Sequence, residues 1–492
     1  MSVFSIEVLL ALLGLVIVLA SAFLPKVADR TLAWTGIAGC VVALLLLAGA
    51  SRSAASLPDF VAPYYSLDSL ALFYKGFALV ITALVLWLVA ESEKTLSAFS
   101  LDGRLGEMIG LPLIVCSGMM WMASAKDLVT VFVALELVTV SFYVLVAYTR
   151  KSALSLEAGV KYLILGAAAT GVLVYGAAWV YGAAGSLTFD GISTAVKNPA
   201  VNKSVLLFGI AFLLAGLGFK VAAAPFHMWV PDVYQGASTP VTVFLSVGSK
   251  AAGFIVLTRV VDSLLSDGSR VASEVTNLLL ISAAITVLLG SLPAIFQTSV
   301  KRLLAYSSIS HAGFLLLALA SRSSARFDLS SGGIVAFYLA TYLPMTVLAF
   351  FVLCVARRHG IGDSLEDLKG LGRRSPLLAF LLTIAMASLA GLPLTAGFLG
   401  KMLVFVSAID HGYWGVIGCA IIGAAAGFYY YFKVILAIYT TEGAAEEPLQ
   451  VSISSKAIAV GLAVVIVVLG LYPKPLQKVL ASAAAVPAAL GK

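Results

Sequence analysis

Stretches of roughly 20 apolar residues, long enough to cross ~30 Å of hydrocarbon as a helix, recur along this chain from end to end. A backbone inside a bilayer must satisfy its own amides and carbonyls, so only helices or closed barrels span it. A barrel is written as alternating segments of ~10 residues, and the sequence shows none. Apolar residues make up 61% of the 492 and charged residues 11%, with a mean hydropathy of +1.05. The fold class that follows is an all-α polytopic membrane protein.

Divided at charged, proline and glycine punctuation, the apolar runs number about fourteen. They begin with Phe4–Phe23 and end with Ala457–Leu471. The first run lacks a basic leader and a small-residue cleavage site, so a retained spanning helix is expected rather than a signal peptide. Loops after odd-numbered segments carry Lys26 and Arg30, Lys94 and Arg104, Arg150 and Lys151, Lys301 and Arg302, and the arginines from Arg357 to Arg374. Lys197, Lys203, Arg322 and Arg326 fall on the other side. The balance places the odd loops in the cytoplasm and both termini on the periplasmic side of a bacterial inner membrane.

The net charge of +7 is spread over short loops, which argues against nucleic acid as a partner. Cys40, Cys116, Cys354 and Cys419 lie in apolar segments without CxxC spacing, and buried inert thiols are expected. There is no GxGxxG and no P-loop. No cofactor or metal is therefore expected in this chain, and nucleotide or redox groups belong elsewhere.

Two segments, Val205–Tyr234 and Pro376–Ile409, are too long for one straight span. Each contains an interruption, AAAPFHMWVP in the first and AGLPLTAGFLG in the second, and each carries one deep lysine, Lys220 or Lys401. Proline removes a backbone donor and clashes with the preceding turn, so each helix is expected to break there. A pair of interrupted segments in corresponding halves points to a transport site built on repeated units. The expected organisation is three helices in residues 1–107, five-helix repeats in 108–262 and 275–440, and a last helix and tail in 441–492.

A lysine at mid-bilayer depth costs roughly 2.5–3.5 kcal/mol on insertion scales, so the ionisable residues inside the apolar runs need a reason. Glu136 lies eight residues past Leu128, about 12 Å deep, with Lys220 as the expected partner across the helices. The alternative is a static ion pair. Lys250 sits near the middle of its segment without an acidic residue within a turn. Burial without an acidic partner favours the neutral amine, which suits a site that is charged and discharged. Lys401 is the deep cation of the second half. His227, in the first break, and His311, in AYSSISHAG, are either proton relays or hydrogen-bonded packing residues. Ser307, Ser308 and Ser310 are expected to hold water beside His311 or to pack. Lys161 stands one turn after Glu157, a spacing that predicts an ion pair; it either tunes Glu136, marks a point of proton uptake, or is structural. Lys433 is expected to snorkel, and Lys75 is undecided.

With these residues on the page, the chain resembles the antiporter-like membrane subunits of proton-pumping NADH–quinone oxidoreductase, respiratory complex I, and among them the subunit N branch. The resemblance covers nearly the whole chain. It is carried by LEAGVKYLILGA, FKVAAAPFHMWVPDVYQGASTPVTVFLSVGSKAAGF, KRLLAYSSISHAGF and GLGRRSPLLAFLLTIAMASLAGLPLTAGFLGK. DVYQGA, and lysine at 401, favour that branch over its longer sisters. The resemblance implies fourteen helices with two inverted five-helix repeats, each containing a broken helix. It implies functional roles for Glu136, Lys161, Lys220, His227, Lys250, His311 and Lys401. It also implies a neighbouring antiporter-like subunit and small membrane subunits as partners in the bilayer. NADH, FMN, iron–sulfur clusters and quinone would sit in other subunits. The competing expectations are a subunit of a stand-alone cation/proton antiporter complex and a non-conducting scaffold.

Overall fold

The computed structural model describes residues 3–24, 27–50, 57–100, 103–324, 326–440 and 448–484. Lys26 of the first loop, and much of the expected C-terminal tail, lie outside the described residues. The first half runs through α1 (Val3–Phe23), α2 (Asp29–Ala50), α3 (Ser69–Glu91), α4 (Gly106–Ser124), α5 (Leu128–Val146), α6 (Ala153–Ala184), α7 (Lys203–Val221) and α8 (Trp229–Gly236). Next comes α9, Thr239–Leu264, with a π-helical turn at Phe244–Ser249. The second half holds α10 (Ala272–Ser291), α11 (Val300–Ala320), α12 (Ser331–Arg358), α13 (Pro376–Ala390), α14 (Ala396–Asp410), α15 (Trp414–Tyr439), α16 (Ile453–Leu471) and α17 (Lys474–Ala484). A small antiparallel hairpin, β1 (Ser323–Ser324) with β2 (Leu329–Ser330), joins α11 to α12.

Among the described residues, thirteen helices are long and apolar enough to cross a membrane. The pair α13 and α14, 15 residues each, occupies the remaining expected segment. The membrane-helical fold class read from the apolar runs is thus the one observed. Local chemistry sets several of the helix starts. Asp68 accepts from the Ala71 amide at 2.7 Å, Asp127 from Val129 and Thr130 at 2.9 Å, and Asn202 from Ser204 at 3.0 Å. Each satisfies a donor that a helix N-terminus leaves free.

The core is built of α9, α11 and α12, which are almost wholly buried within the chain. The flanking helices α1, α2, α6 and α16 turn most of their apolar surface outward, as helices solvated by lipid do. Between α10 and α11, glycine permits the close approach: a Cβ on Gly290 would stand 2.3 Å from the Ser310 amide nitrogen. That contact holds Ser310 and its neighbour His311 against α10.

Both long segments are interrupted, but not by proline directly. Helix α7 closes at Ala222, which has φ +64°, and the Ala223 amide reaches back to the Gly218 carbonyl at 2.8 Å. Helix α13 closes the same way at Gly391, φ +91°, with Leu392 bonded to Ala387 at 3.0 Å. A left-handed residue with this back-bonding ends a helix, and proline then follows beyond the cap. Pro225 and Pro393 do so here. The segment Val205–Tyr234 is accordingly two helices, α7 and α8, as the expected break requires. Lys433 reaches the turn between α10 and α11. It is half-buried and donates to the Ile295 and Gln297 carbonyls at 3.3 and 3.4 Å.

Candidate functional site

Lys250 follows immediately on the π-turn of α9, where the regular backbone ladder is reset; such turns recur at functional sites. Its side chain is 2% exposed. The Nζ donates to both the carbonyl and the hydroxyl of Ser308 on α11 and lies 5.5 Å from the Tyr342 ring centroid on α12. Tyr342 shares a hydrogen bond of 3.0 Å with Ser246, inside the π-turn. No carboxylate pairs with Lys250 within 4.0 Å among the described residues.

One turn beyond Ser308, His311 is buried with both ring nitrogens engaged. Nδ1 meets the Tyr338 hydroxyl at 2.7 Å and Nε2 the Tyr431 hydroxyl at 3.2 Å. Its ring also packs 4.9 Å from that of Tyr342. The three serines hydrogen-bond across to other helices, as the packing alternative expects. Ser308 binds Lys250, Ser307 binds Tyr431, and Ser310 bonds Ser291 at 2.7 Å. Tyrosines from α12 and α15, rather than serines, surround the imidazole.

Lys401, 8% exposed, projects from α14 into the break of its own segment. Its Nζ donates to the carbonyls of Leu389 and Ala390 at 2.9 Å each and lies 5.6 Å from the Phe314 ring centroid. Those carbonyls belong to the open C-terminus of α13, which carries partial negative charge. Tyr338, which holds His311, packs against Gly400 beside this lysine: a Cβ there would stand 3.2 Å from its ring. Lys250, His311 and Lys401 thus form one buried series linked by hydroxyls and aromatic faces.

Lys220 and Glu136 are closely placed but not paired. The Nζ of Lys220, in the last turn of α7, donates to Thr139 Oγ1 at 3.0 Å. Glu136 is half-buried and accepts from Thr170 Oγ1 on α6 at 2.8 Å. Lys220, Thr139 and Thr170 line one cavity of about 10 Å³, roughly the space of a single water. The alternative of a static ion pair is therefore not the arrangement seen: two hydroxyls stand on either side of a small gap. On its other flank Lys220 lies 6.0 Å from the Phe142 ring centroid, and Phe142 packs 5.2 Å from Phe244 in the π-turn. Among the described residues no chain of hydrogen bonds joins Lys220 to Lys250.

The predicted Glu157–Lys161 pair forms at 2.7 Å, and Lys161 also binds Asp232 Oδ2 of α8 at 2.7 Å. Arg302, at the start of α11, takes the other oxygen of Asp232 at 2.8 Å. Partial burial pushes the Asp232 carboxyl up, but the hydrogen bonds and charges of Lys161 and Arg302 outweigh it and hold the group below its ordinary range. This cluster lies where α6 and α11 begin, half-exposed and apart from Glu136. His227 stands in the break after α7, half-buried, with a buried Nδ1 that has no hydrogen-bond partner. It is not brought into the lysine series by any hydrogen bond.

Sequence reasoning passed over Tyr338, Tyr342 and Tyr431, because tyrosine in an apolar run reads as packing. Asp232 was visible in the VPDVYQG block, and only the fold supplies its two cationic partners. Among the described residues, no group of three or more His, Cys, Asp or Glu side chains gathers to hold a metal.

Residues 125–426 match the family described as NADH:quinone oxidoreductase/Mrp antiporter, TM. A NADH-quinone oxidoreductase subunit N from Trichlorobacter lovleyi is 39% identical over 443 residues, covering 89% of this chain and 88% of that protein. Another subunit N, from Moorella thermoacetica, is 37% identical and covers 96% of each. A chain of respiratory complex I from Thermus thermophilus, solved with bound aureothin, superposes with a TM-score of 0.79 at 33% identity. That match covers 98% of this chain and 100% of the other. The matched block carries both broken helices and every lysine of the buried series, and on this likeness the chain belongs to the subunit N family of NADH–quinone oxidoreductases.

Proposed function

We propose that this chain is the proton-translocating membrane subunit that its family membership indicates, coupling quinone reduction elsewhere in the complex to proton movement through its own interior. The single observation that carries the reading is the series Lys250, Ser308, Tyr342, His311, Tyr338 and Lys401, buried in the core without a carboxylate counter-ion. A proton held on Lys250 Nζ is in hydrogen-bond contact with Ser308, one turn from His311. Imidazole accepts at one nitrogen and donates from the other, so it passes a proton from the Tyr431 side to the Tyr338 side and on towards Lys401.

Glu136 acts on Lys220 through Thr170, the small gap and Thr139, a distance at which its charge biases the amine without a static bond. The aromatic boundary between Lys220 and Lys250 makes that step the one that requires water or rearrangement. Lys161 and His227 sit at the margin, Lys161 as the cation of an uptake cluster and His227 in the first break. The two interrupted halves, 108–262 and 275–440, act as repeats of one device. The termini face the periplasm of a bacterial inner membrane. The redox groups, FMN and iron–sulfur clusters, and the sites for NADH and quinone belong to other subunits. The described residues of this chain gather no ligand set for iron, and no step here runs through such a centre.

The test is made on the assembled complex in native membranes. Lys220→Ala and Lys401→Ala are expected to leave assembly intact and to lower turnover and proton pumping together. Co-purifying flavin and iron–sulfur absorbance separates this reading from a stand-alone antiporter. Normal proton-to-electron stoichiometry in a Glu136→Gln, Lys220→Ala double variant would instead support a scaffold role.

A further inference from the structure

A buried acid–lysine pair lies outside the matched block, in the first helices of the chain. Glu7 of α1 and Lys75 of α3 are both 0% exposed and form an ion pair. Tyr65, in the segment leading to α3, donates to the same Glu7 oxygen at 2.7 Å and accepts from Lys75 at 2.7 Å. The third Lys75 hydrogen bond goes to the Met120 carbonyl of α4 at 3.0 Å. The other carboxylate oxygen, Glu7 Oε2, is buried and has no hydrogen-bond partner. Trp121 and Ser124, which follow Met120 on α4, turn polar atoms towards the same cluster, the Trp121 indole beside Glu7 and the Ser124 hydroxyl beside Tyr65.

Stability does not explain this arrangement. Two ions taken wholly out of water lose several kcal/mol of solvation each, and well-packed apolar residues in their place are often neutral or stabilising. An acceptor left unpaired in such a site costs roughly a further 1–3 kcal/mol. A carboxyl that binds and releases a proton at its free oxygen does explain it. Glu7 lies four residues into α1 and Lys75 six residues into α3, about 6 and 9 Å from the face where the chain begins. The nearest charges outside the pair are Asp68 and Arg259, joined at 2.9 Å, with the Cys116 thiol of α4 and the Tyr74 hydroxyl of α3 close by. Ser66, next to Tyr65, donates to Asp68 at 3.0 Å. Arg259 sits on α9, nine residues after Lys250, and also binds the Ala123 carbonyl. A polar strip therefore runs from Glu7 through Tyr65, Ser66 and Asp68 to the helix that carries the central lysine.

We propose that Glu7, Lys75 and Tyr65 form a second proton-exchange site of this chain, opening towards the face where α1 begins and tied to α9 through Asp68 and Arg259. It rests on the reading of the chain as a proton-moving subunit. The proton is taken up at Glu7 Oε2, converting a neutral ion pair into a protonated acid beside a cationic amine, and returns by the same atom. Tyr65 is the positioning residue that holds the other oxygen.

The experiment is infrared difference spectroscopy of the intact complex, reduced minus oxidised, in ordinary and heavy water. The parent is expected to show a protonated-carboxyl band, shifted in heavy water, that disappears in a Glu7→Gln, Lys75→Met double variant. That variant keeps the site packed and uncharged, and its proton-to-electron ratio is expected to fall below the parent's. Tyr65→Phe keeps the band and slows its appearance. Coincident parent and double-variant spectra in that region overturn the proposal and leave a static pair. Lys220→Ala, measured in parallel for pumping, separates the two readings. If it too pumps at the parent ratio, the proton-moving reading itself fails; if it does not, only the Glu7 site is lost.

Discussion

The Nζ of Lys401 donates to the carbonyl of Ala390, the last residue of α13, at 2.9 Å, with the Leu389 carbonyl at the same distance. The amine thus satisfies an open helix end created by the break in its own segment. Lys401→Met keeps the bulk and removes the donor. It is expected to leave the complex assembled while lowering coupled turnover by about tenfold or more, the effect of roughly 1.4 kcal/mol on a barrier. Lys401→Arg, still cationic but too wide beside Gly391, should recover the helix-end contact and not the turnover. Quinone-dependent NADH oxidation and membrane potential measured together check both.

Thr139 is the hydroxyl on which the Lys220 amine rests, at 3.0 Å. Thr139→Val is nearly isosteric and removes a hydrogen bond to a charged group, worth roughly 1.5–3 kcal/mol. The expected result is normal assembly and a pumping defect that approaches that of Lys220→Ala. A parent-like proton-to-electron ratio in Thr139→Val would show that the Thr139 contact does not matter to Lys220.

His311 is held between two tyrosines, the Tyr338 hydroxyl at Nδ1 and the Tyr431 hydroxyl at Nε2, each able to donate or accept. Tyr338→Phe and Tyr431→Phe are each expected to slow turnover. Because the two act on one imidazole, their effects should not add, with a coupling of roughly 0.5–3 kcal/mol in a double-mutant cycle. Additive losses would mean that the tyrosines only pack.

The cluster at Asp232 gives a pH expectation. Its carboxyl lies below the ordinary range when folded, so the stabilisation it contributes is complete above the unfolded value of 3.8 and is lost only as pH falls through the lower folded value. Stability attributable to Asp232 should therefore be flat across neutral and mildly acidic pH. Both Asp232 and Arg302 are about one-third exposed, so Asp232→Asn should cost no more than about 1 kcal/mol. Thermal inactivation of the complex at several pH values tests this; a loss that sets in near pH 6 would contradict it.

Gly290 is one point of close approach between α10 and α11. A methyl group there would meet the Ser310 backbone at 2.3 Å, so Gly290→Ala must push the helices apart. Overpacking of this kind costs typically 1–3 kcal/mol. It should also lengthen the Ser291–Ser310 bond and loosen His311. A lowered thermal midpoint with a turnover defect is expected, and unaltered stability would show that the helices yield easily at this point.

The apolar runs alone determined that this chain is a bundle of membrane helices, because roughly 20 residues without water have few ways to satisfy a backbone. They also marked Lys220, Lys250 and Lys401, since a cation written into such a run stands out against its cost. The i,i+4 pair of Glu157 and Lys161 was legible for the same local reason. What lay across helices was not. Only packing separated Glu136 from Lys220 by two threonines, and left His227 without a hydrogen-bonded link to the lysines. Only packing turned three tyrosines that read as filler into the lining of the His311 site. Glu7, four residues into the first helix, drew no reading from the sequence, and only α3 and α4 closing over it make it a buried acid. Sequence periodicity reports what each helix can bury, whereas tertiary structure decides which polar atoms are buried together.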